Sequence, residues 1–349
     1  MAFIDRLLKE PSYGWATPQG EVARPSFQQL VREAASNINV FSSRKKWLAF
    51  YSWFTILALL PFPMTFVGFF FSPWLIPVIV LYGMIVTSVH GTIWYHRYST
   101  HKAYTFSHPF WRILTQHLVI KTITEEVYVL SHHVHHAKSD LPGDPYNATA
   151  GFWYCMMADV NHQNVAKGLN ERDYNKARRY LAHTGVPIHD YEGYRKWGTV
   201  TRPGKTLLIH ALNWVFWYGT FFLIGGHALA CALFTAALFW FVFVRAFNFT
   251  GHGKGENKHQ DGVDFDRSNL SINQWRPGTF SGEWHNNHHL YPRSARAGFL
   301  PNQLDLAWLY IKMLYRLGAV SKYRDDKANF MESFQEAHKQ PGKEAVPVA

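Results

Sequence analysis

The histidines of this sequence are grouped at spacings that suit metal binding. Residues at i, i+3 and i+4 share one face of a helix, and two groups repeat that spacing, HHVHH at 132–136 and HNNHH at 285–289. Each can direct three imidazoles at one point. HRYSTH at 96–101 supplies two more histidines, and Asn248 and His252 stand four residues apart. We therefore predict a metal site built from these groups.

The number of ligands indicates two metal ions. A structural zinc takes four protein ligands and a catalytic one usually three, whereas these groups supply ten candidates: His96, His101, His132, His135, His136, Asn248, His252, His285, His288 and His289. Imidazole suits Zn, Cu, Fe and Ni, so the ligands leave the element open. His96 and His101 lie about 140° apart around a continuous helix. They can bind the same metal only if the helix ends between them. Otherwise they serve two different metal ions, which agrees with the number of candidate ligands.

Cysteine-based sites and nucleic-acid binding are excluded. Two cysteines, Cys155 and Cys231, cannot form a disulfide framework or a zinc ribbon. The net charge of +11, from 35 Lys and Arg against 24 Asp and Glu, suits a basic membrane face that attracts anionic lipid headgroups. The sequence contains no RNP, zinc-finger or P-loop pattern, so we predict no nucleic-acid partner.

Two long stretches without charge must position the histidines. They run from Leu48 to Tyr95 and from Thr206 to Val244, 48 and 39 residues. A membrane-spanning helix needs about 20 mostly apolar residues, so each stretch has room for two. Proline and glycine interruptions place the spans at about 48–71, 74–95, 207–225 and 228–249. The mean hydropathy of −0.17, typical of a soluble protein, averages these stretches with a charged remainder.

The predicted fold is an all-α membrane protein, with four transmembrane helices in two hairpins and a cytosolic helical cap that holds the histidines. Lys and Arg flank the charge-free stretches but are missing from both hairpin tips, so both termini are expected on the cytoplasmic side. The predicted segments are an N-terminal part with a possible interfacial helix (1–47), a first hairpin (48–95), a cap with two histidine boxes (96–205), a second hairpin (206–250), a cap with the third box (251–328) and a polar tail (329–349).

These motifs resemble those of the membrane fatty acyl desaturases of the stearoyl-CoA desaturase type. The resemblance spans about residues 48–300 and rests on HRYSTH, HHVHH, NFTGH at 248–252 and GEWHNNHHLYP at 282–292. SARAG at 294–298 looks like the bacterial members and points to a bacterial inner membrane. The resemblance implies two irons and an O2-derived oxidant that removes hydrogen from an acyl chain. One iron would be held by His96, His101, His132, His136 and His288. The other would be held by His135, His252, His285 and His289, with Asn248 reaching it through water.

Further residues are expected around the centre. Glu283, Asp140 and Asp144 are candidates to accept hydrogen bonds from ligand N–H groups. Aromatic residues near the span ends are candidates to line an acyl tunnel, although an ordinary aromatic belt explains each of them as well: Trp94, Tyr95, Trp153, Tyr154 and Trp284. The chain has no fused haem or flavin motif, so the resemblance implies a separate electron donor such as a ferredoxin, a rubredoxin or a small b-type cytochrome with its reductase.

Departures from the family pattern concern the head group of the substrate. Acyl-CoA enzymes typically have an acid before the first histidine of the second box and Arg after it, where this chain has Ser131 and His133. A free fatty acid or a lipid-linked chain therefore becomes more plausible. Besides desaturation, the alternative is oxidative decarboxylation of free medium-chain fatty acids to terminal 1-alkenes.

Two further alternatives fit the sequence less well. An alkane-type hydroxylase has a differently spaced second box and an NYxEHYG stretch that is missing here. A His-rich membrane metal transporter would place its ligands along a path near the bilayer midplane, whereas most of these histidines stand at or beyond the predicted span ends.

Overall fold

A computed structural model of the chain describes residues 2–158, 168–252, 284–301 and 303–339. It is mostly helical. The helices are α1 Phe27–Ile38, α2 Trp47–Leu59, α3 Pro61–Phe69, α4 Leu75–Thr100, α5 Pro109–Gln116, α6 Glu125–Lys138, α7 Phe152–Met156, α8 Glu171–Leu181, α9 Tyr191–Trp197, α10 Pro203–Thr250, α11 His285–Leu290, α12 Leu306–Arg316 and α13 Lys327–Lys339. Two short strands, β1 Tyr104–Phe106 and β2 Val320–Tyr323, pair antiparallel.

Within the described residues, three helical stretches are long and apolar enough to cross a membrane. They are Arg44–Phe69, which joins α2 and α3, then α4, and α10. The sequence-based spans overlap these stretches: the first ends two residues beyond Phe69, the second begins one residue before Leu75, and the last two lie within α10. The structural helices run on past the predicted ends at 95 and 249, to Thr100 and Thr250. The extension of α4 matters because it carries His96 to the end of the helix.

The 48-residue α10 is two helical segments that meet at a sharp reversal. Gly225 and Gly226 leave helical geometry, with φ of +66° at Gly226. Trp214 and Phe234 have ring centroids 5.9 Å apart, whereas twenty residues of straight helix would separate them by about 30 Å. The segments before and after the glycine pair therefore pack antiparallel, as the glycine break in the sequence predicts.

The histidine-bearing end of α4 is wound as a π-helix. Residues Thr92–Thr100 have π-helical geometry, and the amide N of His101 donates to the carbonyl O of His96 over 3.1 Å. Hydrogen bonds from i+5 to i place residues five apart above one another. The His96 and His101 ring centroids are consequently 4.9 Å apart. Regular α-helical spacing favours separate centres for this pair, whereas the family resemblance assigns both to one iron. The structure places them in one group, because a π-helix has more residues per turn than an α-helix and so brings residues five apart closer together.

Other helices pack on the histidine-bearing segments: α6 packs along the end of α4, and α7 packs on α10. The N-terminal segment packs there too, since Leu7 is fully buried against α6 and α8. The β1–β2 pair joins the end of α4 to the segment after α12. The described part of the predicted polar tail is helical: α13 covers 327–339 and buries Phe330 against Phe299.

Candidate metal centre

Nine histidines from four segments converge in two groups. The ligand nitrogens within each group lie within 4.8 Å of one another. The first group contains His96, His101, His132, His136 and His288, and the second contains His135, His252, His285 and His289. Helix α6 contributes to both, because successive residues of one helix point in different directions and His135 and His136 turn toward opposite groups.

The nitrogens that face one another are the Nε2 atoms. In the first group His288 Nε2 lies 2.9 Å from His96 Nε2 and 2.9 Å from His136 Nε2. In the second, His285 Nε2 lies 2.8 Å from His252 Nε2 and 3.1 Å from His289 Nε2. His101 Nε2 is buried without a hydrogen-bond partner among the described residues. Two unprotonated Nε2 atoms repel each other at these distances. A bound metal ion or a shared proton between them would remove that repulsion.

Two aspartates fix the tautomers of two histidines of the second group. His135 Nδ1 lies 2.9 Å from Asp144 Oδ1, and His252 Nδ1 lies 3.3 Å from Asp140 Oδ2. An ionised carboxylate only accepts hydrogen bonds, so both Nδ1–H groups donate and both Nε2 atoms keep a free lone pair. A metal-binding histidine typically shows this arrangement, with one nitrogen on a carboxylate and the other on the metal. The donor set therefore fits metal ions.

Burial keeps most of these imidazoles neutral. The pKa values of His132, His136, His288 and His289 lie well below the ordinary value because burial disfavours the cation and neighbouring histidines repel it. His252 differs: burial lowers its pKa, but the hydrogen bond and the charge of Asp140 outweigh that effect and raise it. Neutral imidazole is the form that binds a metal.

The other sequence-predicted residues lie at various distances from the groups. Asp140 and Asp144 contact ligand candidates, as described above, and Glu283 lies outside the described residues. Asn248 is half-buried one turn before His252. Tyr154 is buried, and its hydroxyl donates to the carbonyl O of Asp144 over 3.0 Å. Trp153 is 51% exposed and packs on Phe27.

Three predicted aromatic residues connect the centre to its surroundings. Trp94 is fully buried and its Nε1–H donates to Glu125 Oε1 over 3.1 Å. The Tyr95 hydroxyl donates to the carbonyl O of Ile123 over 2.9 Å. Trp284, directly before His285, donates from Nε1 to the carbonyl O of Leu304 over 3.0 Å. All three hold neighbouring segments in place.

Sequence reasoning missed Tyr128, which separates the first histidine group from Tyr95. Its ring lies 5.3 Å from that of His132, 6.3 Å from that of His96 and 5.7 Å from that of Tyr95. The signal was present, because Tyr128 stands four residues before His132 and so shares its helix face.

Buried carboxylates anchor the boxes to distant parts of the chain. Arg97, next to His96, donates from Nη2 to both carboxylate oxygens of Asp305 at 2.9 Å, and both side chains are 2% exposed. Asp305 Oδ1 also caps α12 by accepting from the amide of Trp308. Glu126 on α6 accepts from the amides of Val200 and Thr201. One ion pair and one carboxylate bound by amides therefore hold these segments in position, and neither belongs to a histidine group.

Comparison with known proteins identifies the family. The fatty acid desaturase family model matches residues 72–320, a span that contains both histidine groups. The sn-2 palmitoyl-lipid 9-desaturase of Nostoc sp. (strain 36) is 27% identical over 292 residues, 80% of this chain and 91% of the relative. The sn-1 stearoyl-lipid 9-desaturase of Synechocystis sp. (strain ATCC 27184 / PCC 6803 / Kazusa) is 28% identical over 264 residues, 73% of each chain.

A third relative is named for a different activity. The hex-5-enoyl-[acyl-carrier protein] acetylenase of Moorena producens (strain JHB) is 28% identical over 276 residues, 73% of this chain and 78% of the relative. These matches confirm the resemblance carried by the histidine boxes. The chain belongs to the fatty acid desaturase family, and it is an oxidoreductase of lipid metabolism.

Proposed function

We propose that this protein is an O2-dependent, non-haem di-iron oxidase of fatty acyl chains and that its reaction is desaturation. The observation that carries the proposal is the pair of buried Nε2 clusters in a chain of the desaturase family. The first histidine group would hold one iron. The second group would hold the other, with Asn248 a further candidate on that side.

Bound iron would supply the oxidising power that an unactivated C–H bond requires, because such a bond offers no acid or base handle. The chain's own residues orient and shield. Asp144 and Asp140 hold His135 and His252 in the tautomer that presents Nε2. Trp94, Tyr95 and Tyr128 are proposed to line the path of the acyl chain, because their rings lie near the first histidine group on α4 and α6.

The proposed topology has four spans in two hairpins, with both termini and the histidine cap on the cytoplasmic side. It is supported by the reversal at Gly225–Gly226, which halves α10 into segments of spanning length, and by the basic residues that flank the spans. The substrate would then partition into the bilayer and reach the centre from the membrane. Fusing a cytoplasmic reporter to either terminus should give an active reporter, and an inactive one would contradict this orientation.

The head group is proposed to be a lipid or a free carboxylate rather than CoA. Ser131 is fully buried and shares a hydrogen bond with the Tyr146 hydroxyl over 2.5 Å. The His133 ring stacks on Tyr180 at 4.0 Å. Both side chains are therefore occupied within the protein, in positions where acyl-CoA enzymes of the family carry charges. Two of the relatives above are acyl-lipid desaturases by name, which supports a lipid-linked chain first.

The same observation favours a second candidate, the decarboxylation of free medium-chain fatty acids to 1-alkenes. A free acid would need no carrier contacts at 131 and 133. Either reaction needs electrons, for which we propose a separate donor, a ferredoxin, a rubredoxin or a small b-type cytochrome with its reductase.

Metal content tests the centre. The purified protein should hold two irons per chain, and His136→Ala should lower that number. His133→Ala is the matched control, since His133 lies on the same helix but in neither group, and it should leave iron content unchanged. A protein that binds zinc and does not respond to reductant and O2 would contradict the oxidase and support a transporter.

Product analysis tests the reaction. Iron-loaded membranes are given laurate, palmitate, their CoA esters and palmitoyl phospholipid with reductant and O2. An internal double bond at full chain length supports desaturation, and the acceptor that carries it identifies the head group. A volatile alkene one carbon shorter than the acid would replace desaturation by decarboxylation.

A further inference from the structure

Helix α12 packs on the membrane-spanning helices near the level of the metal centre. Its buried residues Trp308, Ile311 and Leu314 share a core cluster with Trp94 of α4 and Trp240 of α10. Trp94 is two residues from His96, and Trp240 lies ten residues before the end of α10. Helix α12 therefore lies close to where the spans emerge from the bilayer.

The opposite face of α12 is apolar, and the described residues leave it uncovered. Leu309, Met313 and Leu317 stand four residues apart, so they form one stripe, and they are 51%, 45% and 66% exposed. Lys312 and Arg316 lie beside the stripe. A helix with an apolar face flanked by basic residues is typical of one that rests in the headgroup region of a membrane.

A cleft of about 350 Å³ opens between α12 and the loop before it. Its lining includes Arg296, Gln303, Leu304, Trp308, Leu309 and Lys312. Two cations face the same indole ring: Arg296 Cζ lies 6.0 Å and Lys312 Nζ 5.6 Å from the Trp308 ring. The one acid in the lining, Asp305, is neutralised by the buried Arg97.

The two cations retain donors for a ligand. Arg296 donates from Nε to the carbonyl O of Gly298 over 2.6 Å, and its Nη1 lies 3.9 Å from Asp325, beyond hydrogen-bond distance. Lys312 makes no hydrogen bond or ion pair with the described residues. A concave site with two cations and a tryptophan, beside a membrane-facing apolar stripe, matches a phosphate on a lipid.

We propose that this cleft binds the phosphate headgroup of an anionic phospholipid, with α12 lying in the membrane interface. The lipid tails would cover Leu309, Met313 and Leu317, while Arg296 and Lys312 hold the phosphate. A choline headgroup would bring a third cation toward these two, so a zwitterionic lipid binds more weakly. The proposal does not depend on which oxidation the centre performs.

Binding is measured by native mass spectrometry of the detergent-purified full chain, titrated with phosphatidylglycerol or phosphatidylcholine. Phosphatidylglycerol should bind more tightly. One basic residue near a membrane surface contributes about 1 kcal/mol, so Lys312→Gln should weaken phosphatidylglycerol binding about fivefold. Lys312→Arg should restore it.

Lys9→Gln is the matched control, because Lys9 is an exposed lysine of the N-terminal segment and follows Leu7 and Leu8, which belong to a different core cluster from α12. It should change phosphatidylglycerol binding less than twofold. Equal binding of the two lipids, or an equal effect of the two Gln variants, would overturn the proposal. If millimolar inorganic phosphate alone displaces phosphatidylglycerol, the cleft is a free-phosphate site instead. If Lys312→Gln loses binding to an acidic soluble protein but keeps lipid binding, the cleft is a protein-docking surface.

Discussion

Glu125 and Lys121 form a buried ion pair whose two members should be separable by mutation. Lys121 Nζ lies 2.7 Å from Glu125 Oε1, and the side chains are 1% and 4% exposed. The same oxygen accepts from Gln116 Nε2 at 3.0 Å and from Trp94 Nε1 at 3.1 Å. Burial alone would raise the pKa of Glu125, but Lys121 outweighs it and lowers the pKa to about 2. The carboxylate is therefore charged at neutral pH, and Lys121 is its counterion.

Glu125→Gln should be strongly destabilising for a specific reason. The amide oxygen of Gln can still accept from Gln116 and Trp94, but Lys121 is left buried without a negative partner. Breaking a buried pair in this way costs about 3–5 kcal/mol. For 349 residues, at about 2.1 cal/mol/K of unfolding entropy per residue, that corresponds to a decrease in Tm of roughly 4–7 °C. Lys121→Met/Glu125→Gln removes both charges and should recover most of the loss.

The assay is thermal unfolding in detergent of the wild type, Glu125→Gln, the double variant and a surface control. Glu192→Gln breaks the pair with Arg195, where the side chains are 78% and 64% exposed, and exposed pairs contribute only about 0.2–1 kcal/mol. If Glu125→Gln costs no more than Glu192→Gln, the buried charge is not carrying the stability assigned to it. If the double variant is less stable than Glu125→Gln, the loss arises from packing rather than from unpaired charge.

Three other predictions follow from backbone geometry, packing and burial. Gly226→Ala forces a left-handed φ on a residue with a Cβ and should destabilise the hairpin by about 1–2 kcal/mol. Gly219→Ala is the control, because a Cβ there would meet no atom within 4 Å, and it should leave the Tm unchanged. Equal Tm values for the two variants would contradict the reversal of α10 at Gly225–Gly226. Gly91→Ala would place its Cβ 2.7 Å from Trp240 Cζ2 and should lower the free energy of unfolding by about 1–3 kcal/mol. The double variant with Trp240→Phe should recover part of that loss in Tm, and no recovery would mean that Gly91 and Trp240 are not in contact. Burial, followed by the charge of Lys102, lowers the pKa of His183 to about 4. Since this histidine titrates near the ordinary value of about 6.5 in the unfolded chain, the free energy of unfolding should fall as the pH drops from 6.5 to 4. His183→Gln should make the difference in Tm between pH 7 and pH 5 smaller.

Local chemistry made part of the centre predictable. Helix spacing correctly picks out His132, His135 and His136, and likewise His285, His288 and His289, as residues of the centre. It directs each triplet at one point, however, whereas the structure divides each triplet between the two groups. The spans follow from the distribution of charge, and the reversal of α10 follows from two adjacent glycines. In each case neighbouring residues in the sequence determine the geometry, so no knowledge of the distant chain is needed.

The relation of His96 to His101 could not be predicted in the same way. A π-helix and an α-helix have similar sequences, and the choice between them depends on packing against the rest of the protein. Here α4 packs along α6, and Arg97 between the two histidines is fixed by Asp305, more than two hundred residues away. Sequence spacing counts residues but does not show how tightly they are wound.

Buried carboxylates tie the segments that carry the first two boxes to other parts of the chain. A histidine ligand needs a position fixed to a fraction of an ångström, yet the boxes lie on segments far apart in the chain. Arg97–Asp305 ties the end of α4 to α12, Glu126 ties α6 to the residues before α10, and Asp144 ties His135 to the loop after α6. All three carboxylates are buried and hydrogen-bonded, and none of them belongs to either histidine group. The charges needed to position the histidines are thus kept apart from the lone pairs needed to bind metal, which lets a largely apolar membrane protein build a polar centre without leaving its carboxylates unpaired.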